Sequence, residues 1–299
     1  DIPAASISAA ILCDNKTRSK WIGGEVEVTF ATYDNNIFLT QDSDNCLLRM
    51  VDIIDNGIDR FPLCPVRSLR NTRCRTDFID IESVEDDHSS FNFLNSFCDV
   101  ATGKTQIETN DGHHNAYIGN FSYCPLNTAT SAMSLNDDNS VFMGCRSVGG
   151  NAGLTVGHAS PDEANYSAVI GNVIDAPSAV GINVQATEYT AIVGNVTKGG
   201  TIGAQGTILS KKCAFVGNVS DEFTNTGLRA GENWTVVGNI MDGRGDAFIG
   251  YRAHVDGEHV VMTGNIGLNC KNAIFGWGIG GQDNATLVGN FAGGDQTVP

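Results

Sequence analysis

The sequence predicts an all-β fold, a single-stranded parallel β-helix of about 8–10 stacked coils, and three observations lead to that prediction. One phrase, apolar-apolar-Gly-Asn-apolar, returns every 21 to 27 residues. Each unit carries two short runs rich in Val, Ile, Phe and Thr that are separated by Gly, Asn and Asp. No stretch offers ten residues with the apolar spacing of an amphipathic helix. Strands and bends repeated at this period indicate a solenoid.

The Gly-Asn phrase marks one bend in every coil. Its complete copies contain Gly119-Asn120, Gly171-Asn172, Gly194-Asn195, Gly217-Asn218, Gly238-Asn239, Gly264-Asn265 and Gly289-Asn290. Weaker copies end at Asn95 and Cys145. Asn tolerates the left-handed backbone of a sharp bend, and Gly removes the side chain where the wall turns. Identical Asn residues in adjacent coils can also bond into a ladder. The phrase is therefore interpreted as scaffold.

A second small-residue signature follows eight or nine residues after most markers and places the other strand of each coil. Its copies are Gly153-Leu154, Gly181-Ile182, Gly203-Ala204, Gly227-Leu228, Ala247-Phe248 and Ala273-Ile274. Residues 76–299 are assigned to the β-helix on this basis. Residues 1–75 show strand-like runs without the phrase, and they are expected to be an N-terminal cap or irregular early coils.

The phrase resembles that of right-handed parallel β-helix proteins of the pectate-lyase-like superfamily. That group includes secreted polysaccharide lyases and hydrolases as well as phage tailspikes. The resemblance covers about two-thirds of the chain, from residue 90 onward. It implies a right-handed helix and a carbohydrate-related role, but its motif consists of scaffold residues and does not specify an activity.

Composition excludes several classes of protein. The net charge of −16, from 34 acidic and 18 basic residues, argues against nucleic acid or an anionic membrane as the main partner. The sequence contains no run of 18 apolar residues, so it predicts no membrane-spanning helix. The nine cysteines include no Cys-x-x-Cys pair, which favours buried free thiols over a metal site. No signal peptide, cofactor motif or phosphate loop is recognised.

Carboxylates recur seven residues before the marker and are the candidate catalytic groups. That position holds Asp138, Asn165, Glu188, Lys211, Glu232, Glu258 and Asp283. Carboxylates one and two coils apart would be separated by roughly 5 and 9–10 Å, which matches retaining and approaches inverting glycosidases. Glu232, Glu258 and Asp283 are therefore predicted as catalytic, the alternative being that acidic residues simply occupy an exposed bend.

Aromatic residues near these carboxylates are candidates for sugar contact, because aromatic faces stack on pyranose rings. The predicted substrate-binding residues are Tyr189, Trp234, Tyr251 and Trp277. An outward aromatic ring could equally pack against a neighbouring subunit.

The strand before the marker has apolar residues at two successive positions, for example Ile192-Val193 and Phe215-Val216. Since successive strand residues face opposite sides, one set fills the solenoid and the other forms an outward apolar stripe. Such a stripe would be buried by association or by an overlying loop. In tailspikes of the family resembled, identical solenoids pack about a threefold axis, so a homotrimer is expected.

These features lead to three functional hypotheses. The first is a phage or viral tailspike or tail-fibre body in the virion tail, a homotrimer that binds host surface polysaccharide, with hydrolysis left open. The second is a secreted pectate-lyase-like lyase or hydrolase, and the third is a structural virion or surface protein without catalysis. If the chain is an enzyme, an endo-acting glycoside hydrolase is favoured over a lyase.

Overall fold

A computed structural model defines the fold of the chain. It describes residues 9–14, 20–22, 25–28, 36–41, 47–55, 66–69, 74–81, 84–86, 90–93, 96–98, 107–109, 116–124, 131–136, 138–157, 164–207, 209–253, 259–276 and 286–293. All regular structure in these ranges is β-strand. The predicted all-β, right-handed parallel β-helix is confirmed.

Each coil contributes a strand to three walls, which we call A, B and C. Wall A precedes the Gly-Asn bend and contains Lys20–Ile22, Ser90–Phe93, Ala116–Ile118, Val141–Met143, Ala168–Ile170, Ala191–Val193, Ala214–Val216, Thr235–Val237, Val261–Thr263 and Thr286–Val288. Wall B follows the bend and contains Glu25–Val28, Ser96–Cys98, Phe121–Cys124, Arg146–Gly149, Val173–Asp175, Val196–Lys198, Val219–Asp221 and Phe291–Gly293.

Wall C completes the coil. It contains Ala9–Asp14, Asn36–Gln41, Val66–Leu69, Val84–Asp86, Ile107–Thr109, Met133–Leu135, Ala152–Val156, Val180–Val184, Ile202–Gly206 and Thr226–Ala230. Four long strands run through two walls: Leu47–Asp55 and Cys74–Ile81 through A and B, Ile240–Ala253 and Ile266–Gly276 through B and C. A short pair, Thr187–Glu188 with Ser210–Lys211, lies between walls C and A.

Strand pairing between the described coils is parallel, and its register shifts only where Ile240–Ala253 pairs with Ile266–Gly276. In wall A, Ile192 pairs with Phe215, which pairs with Val236 in the next coil. Parallel pairing also joins strands within residues 1–75, such as Ala9–Asp14 with Asn36–Gln41. The division of the chain at residue 75 stays a prediction.

The Gly-Asn bend is made differently from the sequence expectation. The Gly takes the left-handed conformation in each described copy, with φ between 59° and 67° from Gly119 to Gly289, and the marker Asn does not. A Cβ added at Gly217 would meet no atom within 4 Å, because this side of the bend is open. Glycine is therefore required here by its backbone conformation alone.

The marker Asn side chains form a ladder inside the solenoid, as predicted. Asn195 Nδ2 donates to Asn218 Oδ1 at 2.9 Å, and Asn218 Nδ2 donates to Asn239 Oδ1 at 3.1 Å. Each Oδ1 also accepts a backbone N–H from the preceding coil, as Asn218 Oδ1 does from Asn195 at 2.8 Å. The second Nδ2 proton goes to a wall A carbonyl, that of Ile192 at 2.9 Å for Asn218. The buried amide is thus fully bonded, which removes the penalty of enclosing it.

Cys145 occupies one step of this ladder. Its thiol donates to the Tyr117 carbonyl at 3.3 Å, and Asn120 Nδ2 approaches its sulfur at 4.0 Å. Burial raises the pKa of the Cys145 thiol to about 11, although hydrogen bonds from the surrounding backbone and Asn120 oppose the shift. Cys145, Cys213 and Cys270 are all buried free thiols.

The core is a continuous column of apolar side chains. Three residues before the marker, the side chain points inward in every described coil from Tyr117 to Met262, and the next residue points outward. The predicted division of wall A into an inward and an outward apolar set is therefore confirmed. Walls B and C approach each other through a column of glycines, and a Cβ on Gly203 would lie 2.6 Å from both Ser220 Cβ and the Gly227 carbonyl oxygen.

Candidate functional site

A second bend, between walls C and A, displays a column of side chains to solvent. Six residues before each marker, the backbone is left-handed, with φ between 54° and 57° in all described coils from residue 139 onward. We call this set the corner column, and its members are Asn139, Tyr166, Tyr189, Lys212, Asn233 and His259. Hydrogen bonds between coils hold the conformation; for example, Tyr166 N donates to Glu188 O at 3.0 Å.

The corner column contrasts with the Gly-Asn bend. Both bends need a positive φ, but glycine fills the position in every described copy of one and in no described copy of the other. A bulky residue with positive φ is uncommon and costs on the order of 1–2 kcal/mol. Tyrosine occurs at two successive coils nonetheless. Strain of this kind is retained where the side chain is needed, so the column is a candidate for function.

The two tyrosines form an exposed aromatic stack. Their ring centroids lie 5.0 Å apart and the rings are inclined by only 4°. Tyr166 is 63% exposed and Tyr189 is 46% exposed, so the edges of two parallel rings meet solvent over two coils. Lys212 follows in the next coil, with Nζ 4.7 Å from the Tyr189 ring centroid and 3.0 Å from its hydroxyl oxygen.

Charged residues flank this stack. Lys212 Nζ also reaches Glu188 Oε2 at 3.2 Å, and its hydrogen bonds to Tyr189 and Glu188 raise the pKa of the ammonium group. Lys211 Nζ contacts Glu232 Oε2 at 3.1 Å. Glu188 and Glu232, both seven residues before a marker, are thus each paired with a lysine. Both ion pairs are partly exposed to solvent.

The predicted catalytic set is described only in part. Glu232 lies at the bend beside the corner column, where Asn233 Nδ2 donates to its Oε1 at 3.1 Å. Glu258 and Asp283 lie outside the described residues, as does Trp277. Glu232 and Tyr189 are the predicted site residues that the described structure places at the same bend. The catalytic assignment stays a prediction.

Trp234 and Tyr251 lie in the core, contrary to the expectation that they face a sugar. Both are fully buried. Trp234 Nε1 donates to the Ser210 carbonyl at 3.0 Å, and its ring packs 6.3 Å from Phe215. The Tyr251 hydroxyl lies 2.7 Å from Asn239 O and 2.9 Å from Ile266 O, and burial raises its pKa.

Register explains both corrections. Trp234 lies one residue after the corner-column position, and one residue along a strand reverses the direction of the side chain. Tyr251 pairs with Leu228, so Gly250-Tyr251, and not Ala247-Phe248, is the second signature of its coil. Partners are 21 residues apart at Val219 and Ile240 but 23 apart at Leu228 and Tyr251, so two extra residues precede Tyr251 in its coil and displaced the match.

Sequence reasoning missed Tyr166 and Lys212. The signal was available, because both lie six residues before a marker, as Tyr189 does. The prediction rested instead on the carboxylates at the neighbouring position, seven residues before the marker.

Wall C carries a second outward set, which we call the wall C polar column: Asn183, Gln205, Arg229 and Arg252. Consecutive members are paired across the coils, and Gln205 Nε2 donates to Asn183 Oδ1 at 2.9 Å. Each follows an inward core residue, such as Leu228 before Arg229. Polar side chains therefore line the outside of this wall along four coils.

Within the described ranges, no group of three or more His, Cys, Asp and Glu side chains is arranged to hold a metal ion. That part of the chain also has no helix long and apolar enough to cross a membrane.

Comparison with known proteins identifies the class of fold. No family model and no curated protein matches the sequence. Solved structures do match, and they are right-handed parallel β-helix proteins. The chain is therefore a right-handed parallel β-helix.

Three of these structures are similar over most of this chain. The A-module of mannuronan C-5 epimerase AlgE6 from Azotobacter vinelandii has a TM-score of 0.63 at 14% identity, covering 93% of this chain and 91% of the module. The catalytic domain of a GH87 α-1,3-glucanase has a TM-score of 0.61 at 12% identity, covering 95% and 64%. The Dettilon tailspike protein has a TM-score of 0.57 at 12% identity, covering 93% and 61%. At such identities the likeness shows the fold.

Proposed function

We propose that this chain is the β-helix body of a phage tailspike that binds a polysaccharide of the host cell surface. The observation that carries the proposal is the Tyr166–Tyr189 stack, an exposed aromatic pair kept at a backbone conformation that disfavours tyrosine. The pair presents aromatic surface along the helix axis, so a chain of sugar rings lying parallel to that axis can contact both tyrosines. Structures similar in fold include a tailspike, a glucanase and a mannuronan C-5 epimerase module.

The flanking groups fit the same role. Lys212 and Glu188 provide a donor and an acceptor beside the Tyr189 ring, and Asn233 and His259 continue the corner column in the next coils; sugar hydroxyls need both donors and acceptors. The side chains are partly exposed, so a ligand can reach them without opening the fold. The alternative of a structural surface protein predicts no such retention of strained, exposed tyrosines.

The test is binding to an array of bacterial capsular and O-antigen polysaccharides, followed by calorimetry on the best ligand. Tyr189→Ala and Tyr166→Ala should each weaken that binding by about 10-fold, because loss of a stacked aromatic ring costs on the order of 1–1.5 kcal/mol. Tyr189→Gly should behave in the same way while keeping the fold, because glycine accepts the positive φ.

Leu209→Ala is the matched control, since Leu209 is an exposed apolar residue near Lys212 but outside the corner column. It should bind as the unaltered chain does. Tyrosine variants that bind with unchanged affinity would exclude the corner column as the binding surface, and an array without any ligand would contradict polysaccharide binding itself.

Assembly as a homotrimer is part of the same proposal. The outward apolar stripe of walls A and B supports it, because Val173 and Val196, in adjacent coils, are 43% and 41% exposed. A stripe of this kind along the helix axis is suited to side-by-side packing of identical solenoids.

Cleavage of the bound polysaccharide is a separate proposal that rests on Glu232, Glu258 and Asp283. Glu232 Oε2 lies 3.1 Å from Lys211 Nζ, and this contact holds the carboxylate at the bend beside the corner column. Release of oligosaccharides from the bound polymer would support cleavage. Glu232→Gln, Glu258→Gln and Asp283→Asn should then abolish that release without abolishing binding.

A further inference from the structure

The strongest unexplained feature of the surface is a pair of arginines on wall C. Arg229 and Arg252 are directly paired in adjacent coils of the parallel sheet. Such neighbours lie about 4.8 Å apart in the strand-pairing direction, so two like charges face the same way at close range. The arrangement is unfavourable unless something with negative charge lies between or over them.

Among the residues that the structure describes, no carboxylate forms an ion pair with either arginine. The four ion pairs of the described residues involve Arg146, Lys198, Lys211 and Lys212 and neither of these arginines, although the chain has nearly twice as many acidic as basic residues. The Nε of each guanidinium is enclosed and has no hydrogen-bond acceptor. Desolvation, and secondly the neighbouring Arg252, lowers the pKa of Arg229.

The side chains remain within reach of a ligand. Both residues are only partly buried, and they lie on the outward side of wall C because Leu228 and Tyr251 fill the core. Gln205 and Asn183 continue the same row of donors and acceptors in the two preceding coils. The pair thus ends a polar track that runs along the helix axis.

We propose that Arg229 and Arg252 bind an acidic group carried by a saccharide, so that the polysaccharide bound by this chain is an acidic one. Guanidinium groups match the planar fork of a carboxylate and also bind sulfate. An acid group over the pair offsets the repulsion between the two charges. This identification of the ligand rests on the proposed polysaccharide-binding function, whereas the anion site itself does not.

The first experiment compares the best array ligand with its carboxyl-reduced form. The ligand should be acidic, and either carboxyl reduction or the double change Arg229→Gln and Arg252→Gln should weaken binding by about 10-fold or more. The double variant should bind the carboxyl-reduced ligand no more weakly than it binds the acidic ligand, because carboxyl reduction and the arginine changes remove the same contact. Glutamine already occupies this outward column at position 205, so the variant is expected to fold. If sulfate is the acid group, enzymatic desulfation takes the place of carboxyl reduction.

Arg146→Gln is the control, because it removes one arginine charge from wall B, where Arg146 lies 3.9 Å from Asp175. It should leave binding unchanged. A neutral ligand bound equally well by the double variant, and less well by Tyr189→Ala, would overturn the acidic assignment while leaving polysaccharide binding intact.

An inorganic anion tests the pair without any saccharide. Sodium sulfate should raise the melting temperature more than sodium chloride of equal ionic strength, and the double variant should lose that difference while Arg146→Gln keeps it. An equal response in all three proteins would overturn the anion site. If the array shows no ligand, the proposed function fails and this measurement alone decides the arginine site.

Discussion

At the scale of single residues, glycine serves two different purposes in this fold. At Gly217 the backbone is left-handed and the side-chain position is open, whereas at Gly203 the backbone is ordinary and the side-chain position is occupied by wall B. The same residue type is thus required by conformation in one place and by close packing in the other. Sequence alone showed both columns of glycines but could not distinguish these reasons.

Substitutions at the two positions should therefore rank in opposite order. Gly217→Ala should lower the free energy of unfolding by roughly 1–2 kcal/mol, and Gly217→Asn by less, because Asn tolerates the left-handed region. Gly203→Ala should lower it by about 3 kcal/mol through overpacking, and Gly203→Asn by more. Chemical denaturation of the four variants measures the ranking. Equal losses for Asn and Ala at both sites would contradict it.

At the scale of the repeating element, the asparagine ladder is the main polar structure of the core. Asn218 joins three coils, since its side chain bonds to groups on Asn195, Ile192 and Asn239. Replacing it by a residue of similar shape leaves those buried groups without partners, and each costs about 1–3 kcal/mol.

Asn218→Leu should accordingly destabilise the chain by on the order of 3–6 kcal/mol. Cys145→Asn should raise the free energy of unfolding by about 1 kcal/mol, because it places an amide between Asn120 and Asn172. Urea denaturation of both variants provides the comparison. An Asn218→Leu protein as stable as the starting chain would mean that the ladder contributes little.

The ladder and the outward set of wall A show what a repeat makes predictable. When one position recurs in many coils, its periodicity reveals the direction of the side chain, and Ile192 and Val193 were assigned to opposite faces correctly. In coils of atypical length or sequence, periodicity does not predict the direction of a side chain. Tyr251 was misplaced because extra residues after Asp242 shift its strand, and Trp234 because it was judged by its side chain rather than by its column.

At the scale of the whole molecule, the surface divides by wall. Outward apolar residues follow walls A and B on both sides of the Gly-Asn bend, whereas the corner column and the wall C polar column lie elsewhere on the coil. Association through the apolar stripe would thus leave both proposed ligand surfaces available. No sequence pattern disclosed the arginine pair, because its significance depends on the missing partners.

A charged substitution in the stripe tests assembly. The unaltered chain should have three times the mass of one chain by light scattering, and Val173→Lys should dissociate it because a lysine would be buried at the contact. Thr201→Lys is the control, since Thr201 is exposed at the bend between walls B and C. A monomeric mass for the unaltered chain, or an unaffected Val173→Lys trimer, would reject the stripe as the contact.

The asparagine ladder also has a direction. Every amide from Asn172 to Asn265 donates through Nδ2 toward the following coil and accepts through Oδ1 from the preceding one. The amide dipoles consequently add along the axis, and each bond polarises the next. The ladder therefore carries a net dipole along the helix axis. Replacing an Asn at the centre of the ladder should weaken the hydrogen bonds of the coils before and after it, whereas replacing the last Asn should weaken only those of the coils before it.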